Sequence, residues 1–167
     1  MPVTYESIAT GTLSGANQFL GFSSIPQTFT DLRIVLVYKP TSTGSVIDLR
    51  ANGATGVYST TAIQGLNTTT AAKQLTNDRI FISGWNSDDS TTFWGFATID
   101  ILSYASTSVQ KTCLITTSWN KGTTTTSAIY RAVGVYPSTS AITSLQFQCG
   151  NLFDAASTAT LYGITRA

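Results

Sequence analysis

Apolar and polar residues alternate along most of this chain in short runs, and nearly every run closes on turn-forming residues. Period-two alternation is the pattern of a strand with one buried and one wet face. Residues 31–39 carry the strongest run. Leu32, Ile34, Leu36 and Tyr38 form one apolar face, and Val35 and Val37 lie between Arg33 and Lys39 on the other. Apolar residues on both faces predict an interior strand, covered at least partly on both sides. Residues 3–13, 18–22, 45–50, 79–83, 93–104, 111–119, 128–136, 141–149 and 158–166 read as further strands. In the 93–104 run, Phe93, Ala97, Ile99 and Ile101 share one face; Trp94, Phe96, Leu102 and Tyr104 share the other with Asp100. Asn52-Gly53 is a strong tight-turn signal, and residues 86–92 and 120–126 read as polar loops. The segment 57–73 is less regular. Its Thr/Ala-rich part offers the one place for a short helix, which only its Ala, Gln and Leu residues favour. Eight to ten strands with no internal repeat, heptad or linker predict one all-β domain over residues 1–167. The expected architecture is a jelly-roll-like antiparallel β-sandwich, with residues 1–13 as a short N-terminal arm or edge strand.

Composition sharpens this picture. A chain of 167 residues suits one domain, large enough to fold on its own core without metal or disulfide staples. Only 10% of its residues are charged, well below the usual quarter, and about thirty threonines take up the difference. Thr is β-branched, so it suits a pleated sheet better than a helix. The net charge is +1 and the nine Lys and Arg residues are scattered singly. No basic stripe is present to meet a phosphate backbone, so nucleic acid is not an expected partner. Weak charge also gives little self-repulsion, which suits a surface that meets others in an assembly. The longest uninterrupted apolar run, residues 34–38, is far short of the roughly 18 residues a membrane helix needs. No membrane partner is expected, and the N-terminus lacks the pattern of a signal peptide. Cys113 and Cys149 sit in apolar strand-like runs without metal-site spacing. They read as buried free thiols, with a cross-strand disulfide as the alternative.

Chemistry is sparse. The chain has no histidine, which removes the commonest general base, the His-dependent nucleophile arrangements and the commonest zinc ligand. GxSxG, HExxH, P-loop and GxGxxG motifs are absent. A carboxylate pair of the glycosidase kind is the strongest catalytic candidate that remains. The acids are Glu6, Asp31, Asp48, Asp78, Asp88, Asp89, Asp100 and Asp154. Asp88 and Asp89 are neighbours that do not face one gap, and Asp48 and Asp100 lie mid-strand, where an arginine partner or backbone and threonine hydrogen bonds would satisfy them. The NSDDS run at 86–90 lacks the spacing of a calcium loop. Trp85, Trp94, Tyr104 and Trp119 read as core or subunit-interface packing, with a sugar-stacking platform as the alternative. No catalytic residue, cofactor or metal is expected, and the chain is not expected to be an enzyme.

Several segments, in order, carry a resemblance. They are Pro2-Val3-Thr4-Tyr5-Glu6-Ser7-Ile8-Ala9, then Ser24-Ile25-Pro26-Gln27-Thr28-Phe29-Thr30-Asp31-Leu32, then Asn52-Gly53. Ile99-Asp100-Ile101-Leu102-Ser103-Tyr104, Ser140-Ala141-Ile142-Thr143-Ser144-Leu145 and Thr160-Leu161-Tyr162-Gly163-Ile164 complete the set. Across nearly its whole length the chain resembles a family of small structural and tail proteins of tailed-bacteriophage virions. The resemblance implies a jelly roll that forms homotrimers, and it carries no catalytic residues with it. Pro26 fits a turn before the strand at 31, and Gly163 fits a close backbone approach in the closing strand.

Within that resemblance the expected role is a capsid decoration (cement) protein on the outside of the head, stabilising the shell through protein–protein contacts. The chain opens almost directly on its first strand and offers no coiled-coil stalk, which suits a module lying flat on a shell with an arm that adds a strand to a neighbour. The alternative is the receptor-binding head of a tail fibre that recognises host-surface glycan or protein. Expected partners are a second copy of the chain and the major capsid protein or another virion protein. The expected location is the virion, on the capsid exterior or the tail, after synthesis in the bacterial host cytoplasm. Interface candidates are Met1, Pro2, Val3, Thr4 and Tyr5 in the arm, and Trp85, Asn86, Asp88, Asp89 and Trp119.

Overall fold

A computed structural model describes residues 4–56, 58–83, 91–120 and 127–166. Among them the chain forms twelve strands: β1 (Thr4–Thr12), β2 (Asn17–Phe22), β3 (Asp31–Tyr38), β4 (Ile47–Ala51), β5 (Tyr58–Leu66), β6 (Thr69–Asn77), β7 (Ile80–Phe81), β8 (Gly95–Leu102), β9 (Lys111–Asn120), β10 (Ser127–Tyr136), β11 (Leu145–Phe153) and β12 (Thr158–Thr165). They make an eight-stranded sheet ordered β1-β12-β3-β8-β9-β10-β5-β6 and a four-stranded sheet ordered β2-β11-β4-β7. Every pairing is antiparallel.

The topology becomes simple once β5, β6, β9 and β10 are set aside. The remaining eight strands pair first with last (β1·β12), second with seventh (β2·β11), third with sixth (β3·β8) and fourth with fifth (β4·β7). That is one long antiparallel ribbon folded over on itself. The further pairs β12·β3 and β11·β4 close it into two sheets of four, the double Greek key of a jelly roll. The hairpin β5–β6 enters between β4 and β7, and the pair β9–β10 between β8 and β11. Both extend the larger sheet beyond β8.

Alternation explains the core. Leu32, Ile34 and Leu36 of β3, Ile99 and Ile101 of β8, Leu49 of β4, Phe147 of β11 and Leu161 of β12 are all essentially inaccessible. Tyr38 and Phe153 meet edge to face across the sandwich, with ring centroids 6.5 Å apart. β3 is interior, as its two apolar faces imply. Its second face, Arg33, Val35 and Val37, is half-buried with no sheet over it.

Three expectations need correction. The Thr/Ala-rich part of 57–73 holds no helix: it is the β5–β6 hairpin, turned through Asn67 in the left-handed region (φ 51°). Pairing of β5 with β10 along eight residues outweighs the weak helix preference of Ala and Gln. This hairpin raises the strand count above eight to ten. Tyr104 does not share the outer face with Phe96 and Leu102. Ser103 takes a positive φ of 53°, breaks the alternation and turns Tyr104 into the core. The strand expected over 141–149 lies at Leu145–Phe153, because 141–144 is a hydrogen-bonded connection. Of the two readings of residues 1–13, an arm or an edge strand, Thr4–Thr12 takes the second, pairing with β12 of its own chain.

Of the segments that carry the resemblance, 24–32, 52–53 and 140–145 are joints between these strands, and the described parts of the others lie largely in β1, β8 and β12. Ile25 N–H donates to the Thr143 carbonyl (3.0 Å) and Ile142 N–H to that of Tyr104 (2.9 Å). Gln27 Nε2 donates to the carbonyls of Ile25 and Ile142 at 2.8 and 2.9 Å, and the Tyr104 hydroxyl donates to that of Pro26. Asn52 occupies the left-handed region beside Gly53 (φ 53° and 63°), as a two-residue tight turn requires. Its side chain donates to the Ala141 carbonyl (2.8 Å) and accepts from the amides of Thr143 (2.8 Å) and Ser144 (3.2 Å). The Phe29 ring packs on the backbone of Gly163, where a Cβ would lie 2.3 Å from it. Asp31 accepts from Ser103 N–H (2.7 Å) and from Arg166. Segments far apart in sequence therefore meet as partners.

Candidate functional site

Beyond β8 the larger sheet has a covered face and an open one. On the covered side, β7 and the residue after it lie across the inserted strands. Thr117 Oγ1 donates to the Ile82 carbonyl (2.6 Å), Phe81 N–H to Thr60 Oγ1 (3.3 Å), and Ile80 presses on Gly134. On the open side the register sets side chains in rows. Asp100, Leu114, Val133 and Thr61 stand side by side across β8, β9, β10 and β5. Thr98, Thr116, Arg131 and Ile63 form the next row, and Phe96, Ser118 and Ile129 the one after it. The first two rows line a shallow groove of about 400 Å³.

Water-facing strands ordinarily put polar residues outward. Here Ile63 is 57% exposed, Ile129 52%, Phe96 45%, and Leu114 and Val133 43% each. Charge enters at two places. The Arg33 guanidinium grips the Asp100 carboxylate with two bonds, 2.6 and 2.8 Å, and itself lies over the Tyr5 ring at 5.3 Å. Arg131 stands exposed between Thr116 and Ile63.

The smaller sheet carries an ion network. Arg79 binds Asp78 through Nε and Nη2 (2.8 and 3.0 Å), while its Nη1 donates to Gln148 (2.8 Å) and more loosely to Asp48 (3.4 Å). Arg50 also binds Asp78. Asp48 is buried, and its Oδ1 has no hydrogen-bond partner among the described residues. Desolvation, only partly offset by Arg79, pushes its carboxyl up to about 7. Arginine hydrogen bonds hold Asp78 below its ordinary range. At the far end of β9, the buried Lys111 ammonium donates to the carbonyls of Ser106, Val109 and Thr139 (2.6–2.8 Å). Burial lowers its pKa.

Asp31, Asp48, Asp78, Asp100 and Asp154 thus each have an arginine or lysine partner. No group of three potential metal-ligating side chains occurs among the described residues, and no described helix is long and apolar enough to cross a membrane. Cys113 and Cys149 are both buried and not joined in a disulfide, and burial pushes the Cys113 thiol up to about 12.

Of the interface candidates, Thr4 and Tyr5 are exposed on the edge strand β1. Trp119 lies in the core, 6% exposed, edge-on to Tyr130. Its ring is therefore a packing element and offers nothing to a partner at the surface. Met1, Pro2, Val3, Trp85, Asn86, Asp88 and Asp89 lie outside the described residues, as do most positions of the loops expected at 86–92 and 120–126. Trp94 is at the surface with Lys39 over its ring at 5.4 Å, whereas Tyr104 and Trp119 are buried. These three do not converge on one platform.

Sequence reading missed Ile63, Leu114, Ile129 and Val133. One signal for them existed in β10, where Ala128, Ala132 and Gly134 alternate with Ile129, Val133 and Val135. Small residues share the inward face there with Tyr130 and Tyr136, Ile80 of β7 packs close on Gly134, and the bulkier aliphatics are left outside. Compared with known proteins, the chain matches no family model, no curated protein and no solved structure.

Proposed function

We propose that this chain is a structural protein of a tailed-bacteriophage virion, seated on the outside of the head, where it stabilises the shell through protein–protein contacts. The observation that carries this reading is the open face of the extended sheet. Ile63, Leu114, Ile129, Val133 and Phe96 stand exposed in adjacent rows, with no layer above them among the described residues. Covering each of these half-exposed side chains is worth roughly 1 kcal/mol, and exposed apolar side chains clustered in this way, with Arg131 and threonines between them, suit an interaction surface. Weak contacts of this sort, repeated over a symmetric shell, hold through multivalency. The jelly-roll body and the ordered segments of the resemblance support the same assignment.

A second reading, the receptor-binding head of a tail fibre, rests on Phe93 and Trp94, which are 37% and 45% exposed and suited to stack on a sugar. Cryo-EM of intact particles, with quantitative mass spectrometry of copy number, tests both. Hundreds of copies on the head support the first reading, and a few dozen or fewer on the tail support the second. Absence from the particle, or turnover of a polysaccharide by the purified protein, overturns both.

A further inference from the structure

The eight-stranded sheet has two open edges, β1 and β6, and both look built for pairing. The strand β6 has β5 as its one substantial neighbour among the described residues, and its side chains are exposed on both faces at every position except Leu75. It contains no proline, glycine or register shift, the devices that usually blunt an edge. Thr4, Tyr5, Glu6 and Ser7 of β1 are likewise exposed on both faces. Each edge bears a single charge, and the signs are opposite: Glu6 on β1 and Lys73 on β6.

Direction agrees with charge. Eight strands in strict antiparallel alternation leave the first and last running oppositely. A second copy set in line with the first therefore offers its β1 antiparallel to β6. We propose that β6 of one copy pairs with Thr4–Ser7 of a second copy, Glu6 opposite Lys73. In that register Tyr5 meets Gln74, and Ser7 meets Ala72. The faces match as well. Glu6 stands opposite the buried Gly163 and Lys73 opposite the buried Ala62, so both charges lie on the side of the smaller sheet. The open faces of the two copies then form one continuous surface.

Same-edge pairing lacks these advantages. An antiparallel β6–β6 contact centred on the strand opposes Lys73 to Lys73, and a β1–β1 contact brings Glu6 towards Glu6; like charges directly opposite are unfavourable. The register shift between Ser7 and Ala9 limits the join to the first part of β1. Being head-to-tail, the join closes into a ring or continues as a chain. It rests on the two edges alone, so a protein absent from virions would leave it standing.

Light scattering behind size exclusion, run on the full chain over a wide concentration range, tests the pairing. The wild type associates. Glu6→Lys and Lys73→Glu each weaken association about tenfold, and the double swap E6K/K73E regains it, with thermal melting confirming that each variant is folded. A wild type that stays monomeric throughout, single variants that associate normally, or a double swap that does not recover overturns the proposal. Hydrogen exchange on the wild type gives a second test that needs no variant. Protection of amides in 4–7 and 72–75 rises with concentration if the edges pair, and concentration-independent exchange there overturns the join.

Discussion

The jelly-roll body and the hairpins inserted into it share one threonine-rich, charge-poor composition, yet they place their apolar residues differently. In the body, Leu32, Ile34, Ile99 and Leu161 point between the sheets, and the connections are tied by side chains such as Asn52, Gln27 and Asp31. In β5 and β10, Ala62, Ala128 and Ala132 point inward while Ile63, Ile129 and Val133 point into water. The body keeps its large aliphatics inside, while the insertions bury large rings at Tyr58, Trp119 and Tyr130 and also carry an apolar outer face. Substitutions should therefore separate the two regions: changes in the joints alter stability, and changes on the outer face alter association.

The largest effect is expected at Asp48, beneath the segment that leads from the inserted hairpin back to the body. Its folded pKa of about 7 lies above the unfolded value of about 3.9. The neutral form is therefore favoured by folding. That stabilisation is complete below about pH 4 and is lost as pH rises through 7, a fall of about 4 kcal/mol. Arg79, Asp78, Arg50 and Tyr130 are the charged or titratable groups around it. Asp78, with its lowered pKa, acts in the opposite sense and only below about pH 4. Asp48→Asn should flatten the decline, as read by urea unfolding from pH 4 to 8.

Next comes the joint between Phe29 and Gly163. Gly163→Ala places a methyl within 2.3 Å of the ring and should cost about 2–3 kcal/mol. Adding Phe29→Leu should return part of that cost. A double-mutant cycle with simple additivity would show that the two segments do not dock on each other.

Asn52→Ala is expected to be slightly milder, at about 2 kcal/mol, since it removes four hydrogen bonds to residues 141–144 and leaves alanine at a positive φ. Asn52→Gly should be intermediate, because it relieves the backbone but not the lost bonds. The smallest stability change is expected on the open face. Leu114→Ser or Val133→Ser should move the denaturant midpoint by no more than about 0.5 kcal/mol equivalent, yet should reduce co-sedimentation with phage heads. A large stability loss with unchanged sedimentation would reverse the comparison between the two regions.

Much of the architecture was legible in the chain. Ten strand runs, the paired faces of 31–39, the Asn52-Gly53 turn and the close approach at Gly163 follow from alternation and turn chemistry. The hairpin at 58–77 was not legible, because its Thr and Ala residues have weak local preferences and become strands through pairing with β10. Nor was the inward turn of Tyr104, which depends on one residue, Ser103, at positive φ. Trp119 and Trp94 look alike in sequence; only the packing of β10 buries one and leaves the other out. Asp48 and Asp100 invited an arginine partner, and each has one, but their residual environments differ. Asp100 is gripped by two bonds at a half-exposed site, while Asp48 keeps a buried oxygen without a hydrogen-bond partner.

By itself the sequence determined the local conformations: which stretches extend, where the chain turns, and that Thr-rich, charge-poor strands must find partners. Those properties are set by near neighbours along the backbone. Tertiary structure alone decided that both hairpins join the same side of one sheet, which of two apolar faces meets water, and that the two edges carry opposite charges in opposite directions. Each of these is a relation between residues far apart in the chain, fixed by pairing register and layer packing, and period-two alternation is blind to it.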